Sequence, residues 1–274
     1  SASIDFFKER RSNILCEPER YSQAAGSNGL APINYGVVTN QGYDLEIGYQ
    51  DQKGDFGYSI KGIYGYAHNE IVEKSESVKP YAYMSQTGNP IGQFIGYISD
   101  GFFSSYEDIA SSPVQFGQVS RPGDIKYKDV NGDGVVNDGD IVAIGSTSKP
   151  NLIYGLGLSA TWKGLDVSLH FQGAGKSQFF TYGKCIWAFT EGQWGNILKG
   201  TLDNRWVDAE TAQKLGIPAN ENPNASYPRL SYTDNGNGNT TIYEYKNNYR
   251  NSTYWLRNGS YVRLKTIDVG YTLP

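Results

Sequence analysis

Tyr154-Gly155-Leu156-Gly157-Leu158-Ser159-Ala160-Thr161-Trp162-Lys163-Gly164-Leu165-Asp166-Val167-Ser168-Leu169-His170-Phe171 is the stretch on which the fold turns. Tyr154, Leu156, Leu158, Ala160 and Trp162 fall on every second position, as do Leu165, Val167, Leu169 and Phe171. That is the period of a β-strand, whose successive side chains point to opposite faces. Lys163-Gly164 between the two runs has the length of a tight hairpin turn. The other face of the second strand carries Asp166, Ser168, His170 and Gln172, so the hairpin is apolar on one side and polar on the other.

The same device occurs earlier. Tyr43, Leu45, Ile47 and Tyr49 alternate with Asp44, Glu46, Gly48 and Gln50. After the turn 51–55, Phe56, Tyr58, Ile60, Gly62, Tyr64 and Tyr66 alternate with Gly57, Ser59, Lys61, Ile63 and Gly65. Each strand has about the ~10 residues that cross a bilayer when tilted. In a soluble sandwich the apolar face would bury against a second sheet; in an outer-membrane barrel it would face lipid. The alternation suits both.

Connection lengths favour the barrel. The turns at 51–55 and 163–164 are very short, whereas the connections at about 17–36, 68–150 and 174–253 are very long. Short turns at one end and long loops at the other are the plan of a transmembrane β-barrel, and structureless connections beyond ~15 residues are rare in compact soluble domains. The expectation is an all-β, antiparallel barrel segment with long extracellular loops. Ala209 to Leu215 reads as one short helix inside a loop.

Composition agrees. The 274 residues include 33 Gly and 22 Tyr and carry a net charge of −4, with no basic run that would point to nucleic acid. No apolar run reaches the eighteen residues of a membrane helix, which leaves a β-barrel open. Ser1-Ala2-Ser3-Ile4-Asp5-Phe6-Phe7 already reads as the middle of a strand, as in a piece of a longer protein. Cys16 and Cys185 lie far apart, and neither has a partner at metal-ligand spacing.

Asp129-Val130-Asn131-Gly132-Asp133-Gly134-Val135-Val136-Asn137-Asp138-Gly139-Asp140 carries a second signal. Asp129, Asn131, Asp133, Asn137 and Asp140 occupy positions 1, 3, 5, 9 and 12 of a calcium loop. Gly134 stands where such a loop turns sharply, and Val135 where it offers a backbone carbonyl. Three close carboxylates repel one another unless a cation sits among them. The plain alternative is a solvated Asx/Gly turn. Arg121-Pro122-Gly123 upstream and Gly145 downstream exclude flanking helices, so the expectation is one isolated EF-hand-like Ca²⁺ loop in a β context. Its ligands would be Asp129, Asn131, Asp133, Val135, Asn137 and Asp140. Asp234 to Asn239 repeats the composition but not the spacing and reads as a flexible loop.

The order of several stretches resembles the SusC/RagA family of TonB-dependent outer-membrane transporters of Bacteroidetes. They include Asp5-Phe6-Phe7-Lys8, Asn40-Gln41-Gly42-Tyr43-Asp44-Leu45, Gly92-Gln93-Phe94-Ile95-Gly96-Tyr97 and Asp100-Gly101-Phe102-Phe103. Pro122-Gly123-Asp124-Ile125-Lys126-Tyr127, Ile144-Gly145, Lys163-Gly164-Leu165-Asp166, Phe171-Gln172-Gly173, Asn222-Pro223-Asn224-Ala225, Tyr227-Pro228-Arg229 and Gly259-Ser260-Tyr261-Val262-Arg263-Leu264-Lys265 continue it. The resemblance implies import of glycans, peptides or other bulky nutrients, driven by TonB and capped by a SusD-like surface lipoprotein. It also implies that plug, TonB-contacting segment and first strands lie outside this chain.

Two other readings compete: a secreted calcium-stabilised carbohydrate-binding β domain and an extracellular glycan hydrolase. The two histidines, His68 and His170, have no Ser/Asp or Cys partner nearby in sequence, and no carboxylate pair is marked out, so the chain reads as no enzyme. Trp187, Trp194, Trp206 and Trp255 lie in the long loops, to pack them or to stack on sugar rings.

Overall fold

The computed structural model describes residues 1–19, 31–183, 186–188, 196–230 and 246–273. Asp234 to Asn239, Cys185 and Trp194 lie outside the described residues, and with them the expected flexible loop and any pairing of Cys16 with Cys185.

The chain divides into two units, and residues 1–94, 146–179 and 258–274 form the first. It is one antiparallel sheet of six strands: β1 (Ala2–Cys16), β2 (Ile33–Lys53), β3 (Phe56–Glu73), β4 (Leu152–Trp162), β5 (Leu165–Gly175) and β6 (Tyr261–Tyr271). Spatial order equals chain order, so every neighbour in the sheet is the next of these strands in sequence. The β4–β5 turn is as tight as its sequence requires. Lys163 and Gly164 take φ of 47° and 84°, and Trp162 pairs with Leu165. Positive φ at both central residues matches the twist of the flanking strands. The β2–β3 turn closes at Lys53 and Phe56 around Gly54, at φ 62°.

Strands β2 and β3 run further than their alternation indicates, pairing as far as Val37 with Glu73. The long connections therefore span 17–32, 74–151 and 176–260. Ala67, His68 and Asn69 interrupt the apolar alternation of β3, but Ile71 and Val72 resume a β-favouring run, and no Gly or Pro breaks the ladder between.

Residues 95–145 and 180–257 form the second unit, here the loop unit. It contains short ladders, Ser99–Phe102 against Ile125–Tyr127 and Val114–Gln115 alongside Val135–Val136. Gln115 knits them further, accepting from the Tyr127 N–H at 3.1 Å and donating to its carbonyl at 3.2 Å. Among the described residues it also has three short α-helices: α1 (Tyr106–Ala110), α2 (Lys199–Asn204) and α3 (Ala209–Leu215). The last matches the helix expected there. Asp208 caps its start by accepting from the Thr211 N–H at 2.7 Å, and Gly216 ends it in the left-handed region. A buried cluster of Tyr97, Ile125, Tyr127, Val136, Tyr227, Tyr249 and Trp255 forms the core.

Candidate functional site

The register of the six strands sorts their side chains into two faces. Directly paired residues share a face. Rows of one face run Ile4, Leu45, Tyr64, Tyr154 and Val262; Ile47, Leu156, Phe171 and Leu264; and Tyr49, Ile60, Leu158, Leu169 and Ile267. Phe6, Tyr43 and Tyr66 bound it at the long-loop end, and Phe56, Trp162, Leu165 and Tyr271 at the short-turn end. The face stands open: Phe6 is 76% exposed, Trp162 54% and Val269 68%. From Tyr66 to Phe56 the band covers ten residue steps. At about 3.3 Å per step and a tilt of roughly 40°, this gives a height near ~25 Å, that of an outer-membrane barrel's apolar band.

The opposite face is largely polar, with Ile63, Ile153 and Tyr261 as apolar or aromatic interruptions. Gln50, Ser59, Ser159, Ser168 and Asp268 form one row, and Lys61, His170 and Thr266 belong to another. Ser59 and Ser159 hydroxyls lie 2.7 Å apart, and Lys61 pairs with Glu46 at 2.9 Å. His170 is therefore one member of a polar surface.

The acidic loop forms part of the loop unit. Asp140, at position 12, is fully buried; Asp129 and Asn131 are half-buried; Asp133, Val135 and Asn137 are exposed. Gly134 turns at φ 86°. The carboxylate of Asp129 accepts from the N–H groups of Gly132 and Gly134 at 2.7 and 2.8 Å. Asp140 draws the loop ends together, accepting from Val130 at 2.7 Å and Asn137 at 2.8 Å. Asn131 and Asp133 turn toward each other at 2.9 Å, and each accepts a loop amide at 2.9 Å. The carbonyl of Val135 accepts from the Asn137 side chain at 3.4 Å. Burial opposes the charged form of Asp129, but the amides of Gly134, Gly132 and Asp133 outweigh it and hold the carboxyl below its usual range.

Among the described residues no three His, Cys, Asp or Glu side chains converge as a metal-holding group. The donor set nevertheless suits a hard cation. A carboxylate offers about four lone-pair sites, so an oxygen that takes one amide keeps one for a metal.

Sequence reasoning missed the residues that seat this loop. Tyr97, 5% exposed, donates its hydroxyl to Asp138 at 3.0 Å. Burial, then the Asp138 carboxylate, pushes the Tyr97 phenol up to about 12. Arg250 lies 3.5 Å over the Phe116 ring, which meets Tyr97 edge-on. Deeper in the unit, Asp124 is 2% exposed and paired with Arg229 at 2.6 Å. It also accepts from Asn248 at 2.9 Å and from the Arg121 N–H at 2.8 Å. Two quoted stretches, 122–127 and 227–229, thus meet through one buried ion pair. Gly123 lies against the Trp206 ring at φ 85°, where a Cβ would come within 2.4 Å of it. Trp206 and Trp255 are buried, and Trp187 stacks on Tyr249 at 5.6 Å, so these tryptophans pack the unit.

No family model matches the chain. Among characterised proteins it is 29% identical over 187 residues to TonB-dependent receptor P26 of Formosa agariphila, covering 68% of this chain and 16% of that protein. To TonB-dependent receptor P3 of the same organism it is 24% identical over 287 residues, covering 99% and 25%. Among solved structures it matches the RagAB peptide importer in the open-open state with a TM-score of 0.66 at 17% identity. That match covers 100% of this chain and 26% of the other, and the closed-closed state gives 0.64 at 19%. The chain is thus similar in sequence to TonB-dependent receptors, and its fold is that of the part of the RagAB importer it matches. It spans a quarter or less of the length of the two Formosa relatives. Both relatives are named as receptors, and neither name supports the hydrolase reading.

Proposed function

We propose that this chain supplies six wall strands and part of the extracellular loops of a closed outer-membrane barrel that imports glycans, peptides or other bulky nutrients. TonB would drive it through regions outside this chain, and a SusD-like surface lipoprotein would cap it on the side of the long loops. One observation carries the reading: an exposed apolar face, continuous across six strands and bounded by aromatics at both ends. In water such a face would cost roughly 25 cal/mol for each Å² left exposed; against lipid it costs nothing of that kind. The polar face would line the lumen. The test is a pair of substitutions in the whole receptor. Leu158→Arg should block stable insertion, because a charge on the lipid face near mid-bilayer costs about 2–4 kcal/mol, whereas Ser159→Arg should insert normally. Equal tolerance of both would reject the proposal.

The acidic loop, in the same reading, binds one Ca²⁺. Asp129, Asn131, Asp133 and Asp140 would serve through side chains, Val135 through its carbonyl, and Asn137 directly or through water. What supports this is the donor chemistry and the positive φ of Gly134. Asn131 and Asp133 would have to turn from each other toward the ion. The role is structural, and a Kd of ~10⁻⁴–10⁻³ M would serve outside the cell. Calorimetry on the intact receptor should show calcium uptake that Asp129→Ala with Asp133→Ala abolishes; no such uptake leaves the Asx/Gly turn.

A further inference from the structure

We propose that the long-loop rim of the apolar face binds the phosphates of an anionic lipid headgroup. The inference rests on the reading of that face as lipid-facing. Register puts Lys8 in one row with Gln41 and His68, and Arg10 in the next with Thr39 and Glu70. Both rows lie on the face of Phe6, Tyr43 and Tyr66, the first of them one two-residue step, roughly 6–7 Å, beyond that aromatic row. Lys176 follows the end of β5 at φ 53° and turns its ammonium back over the Tyr66 ring, 4.6 Å from the centroid. Three cations therefore gather at one edge of the band. Lys8, Arg10 and Lys176 are exposed, and none has an ion-pair partner among the described residues. Glu70 is the acid of these rows and stands two strands from Arg10.

Depth gives the cluster its meaning. In barrels of this kind an aromatic girdle marks where hydrocarbon gives way to headgroups. Cations immediately beyond the girdle stand at the level of phosphates, which guanidinium and ammonium groups bind by charge-assisted hydrogen bonds. The opposite rim differs. There Lys53 and Lys163 share the edge with Asp51 and Asp55, and Lys163 lies 5.5 Å over the Trp162 ring. Charges balance at the short-turn end and do not balance at the long-loop end. The occupant that fits is a phosphorylated glycolipid of the lipid A type, with acyl chains along Phe6, Tyr43 and Tyr66 and phosphates on Lys8, Arg10 and Lys176.

The test uses the whole receptor in phosphatidylcholine vesicles containing one-tenth bis-phosphorylated lipid A or its dephosphorylated form. Flotation first reports membrane insertion, and native mass spectrometry then counts retained glycolipid. Phosphorylated lipid should be retained over the dephosphorylated form. A triple change, Lys8→Ala, Arg10→Ala and Lys176→Ala, should lower retention ten- to a hundredfold, since each cation near an anionic headgroup is worth about fivefold. Lys53→Ala with Lys163→Ala should change it less than twofold, and millimolar inorganic phosphate should not displace the lipid. A receptor that fails to float sinks the lipid-facing reading itself. One that floats but retains both lipids equally, keeps its lipid in the triple variant, loses it equally in the control, or releases it to free phosphate overturns this inference alone.

Discussion

The two units solve the problem of apolar side chains in opposite ways. The loop unit buries them in a core of its own, with Trp255 and Tyr127 at 1% exposure and Ile125 and Val136 at none. The six-stranded sheet buries almost nothing. Val37 and Ala174 are its buried apolar residues among those described, while Ile47, Leu264 and Val269 stand open. One unit carries its own apolar solvent; in the proposed reading the other is immersed in one. Substitutions should therefore act by different rules in the two regions.

The largest effects belong to the loop unit. Asp124→Ala would strand Arg229 in a buried site and should destabilise the unit by about 3–5 kcal/mol, read as accelerated proteolysis between 95 and 145 in the inserted receptor. Trp255→Ala should cost a similar ~3–5 kcal/mol by the same assay, because the ring packs against Tyr227, Tyr249 and Tyr254. Leu158→Ala in the sheet should cost well under that in a bilayer, because lipid chains fill the space a rigid core would leave empty. Equal losses at Trp255 and Leu158 would erase the contrast.

The contrast also explains what could be read from the chain. The sheet was legible because its rule is local: a period of two, a Lys-Gly turn, and neighbours in space that are neighbours in sequence. Its far end was less so, since Ala67, His68 and Asn69 interrupt the apolar rhythm while the ladder continues. The loop unit was not legible, because its contacts are remote. Asp124 meets Arg229 105 positions away and Asn248 124 positions away, and no periodicity encodes such a meeting. Helix α3 was the exception, fixed by Asp208 and Gly216 at its ends. In the acidic loop the spacing was plain, but Tyr97 was not, since nothing in Gly96-Tyr97-Ile98 announces that its hydroxyl meets Asp138.

Smaller effects sharpen the comparison within the loop unit. Tyr97→Phe removes one hydrogen bond to Asp138 and should cost about 0.5–1.5 kcal/mol, seen as a modest rise in cleavage near Gly145. The smallest effect is a pH dependence. Lys126, with the Ser104 amide, lowers the Asp108 carboxyl, and loop amides lower that of Asp129 against the cost of burial. Folded values below the unfolded one mean that both contributions are present above the ordinary carboxylate value of 3.8 and fade as pH falls through the lowered values. Protease resistance of the loop unit should hold from pH 7 to about 5 and decline only in stronger acid. A decline on raising the pH from 5 to 7 would contradict these directions.

The most direct test of the central claim, that the sheet is a membrane wall with one face in lipid, is a cysteine scan of 152–175 in the inserted receptor. Each position would be labelled with a fluorophore and exposed to a brominated-lipid quencher and, separately, to a water-soluble one. The account predicts a strict period of two: Leu156, Leu158, Ala160, Val167 and Leu169 quenched from the lipid phase, and Gly157, Ser159, Thr161 and Ser168 from water. Leu156, Leu158, Val167 and Leu169 shielded from both quenchers would mean that a second protein layer covers the apolar face, and the wall reading would be wrong.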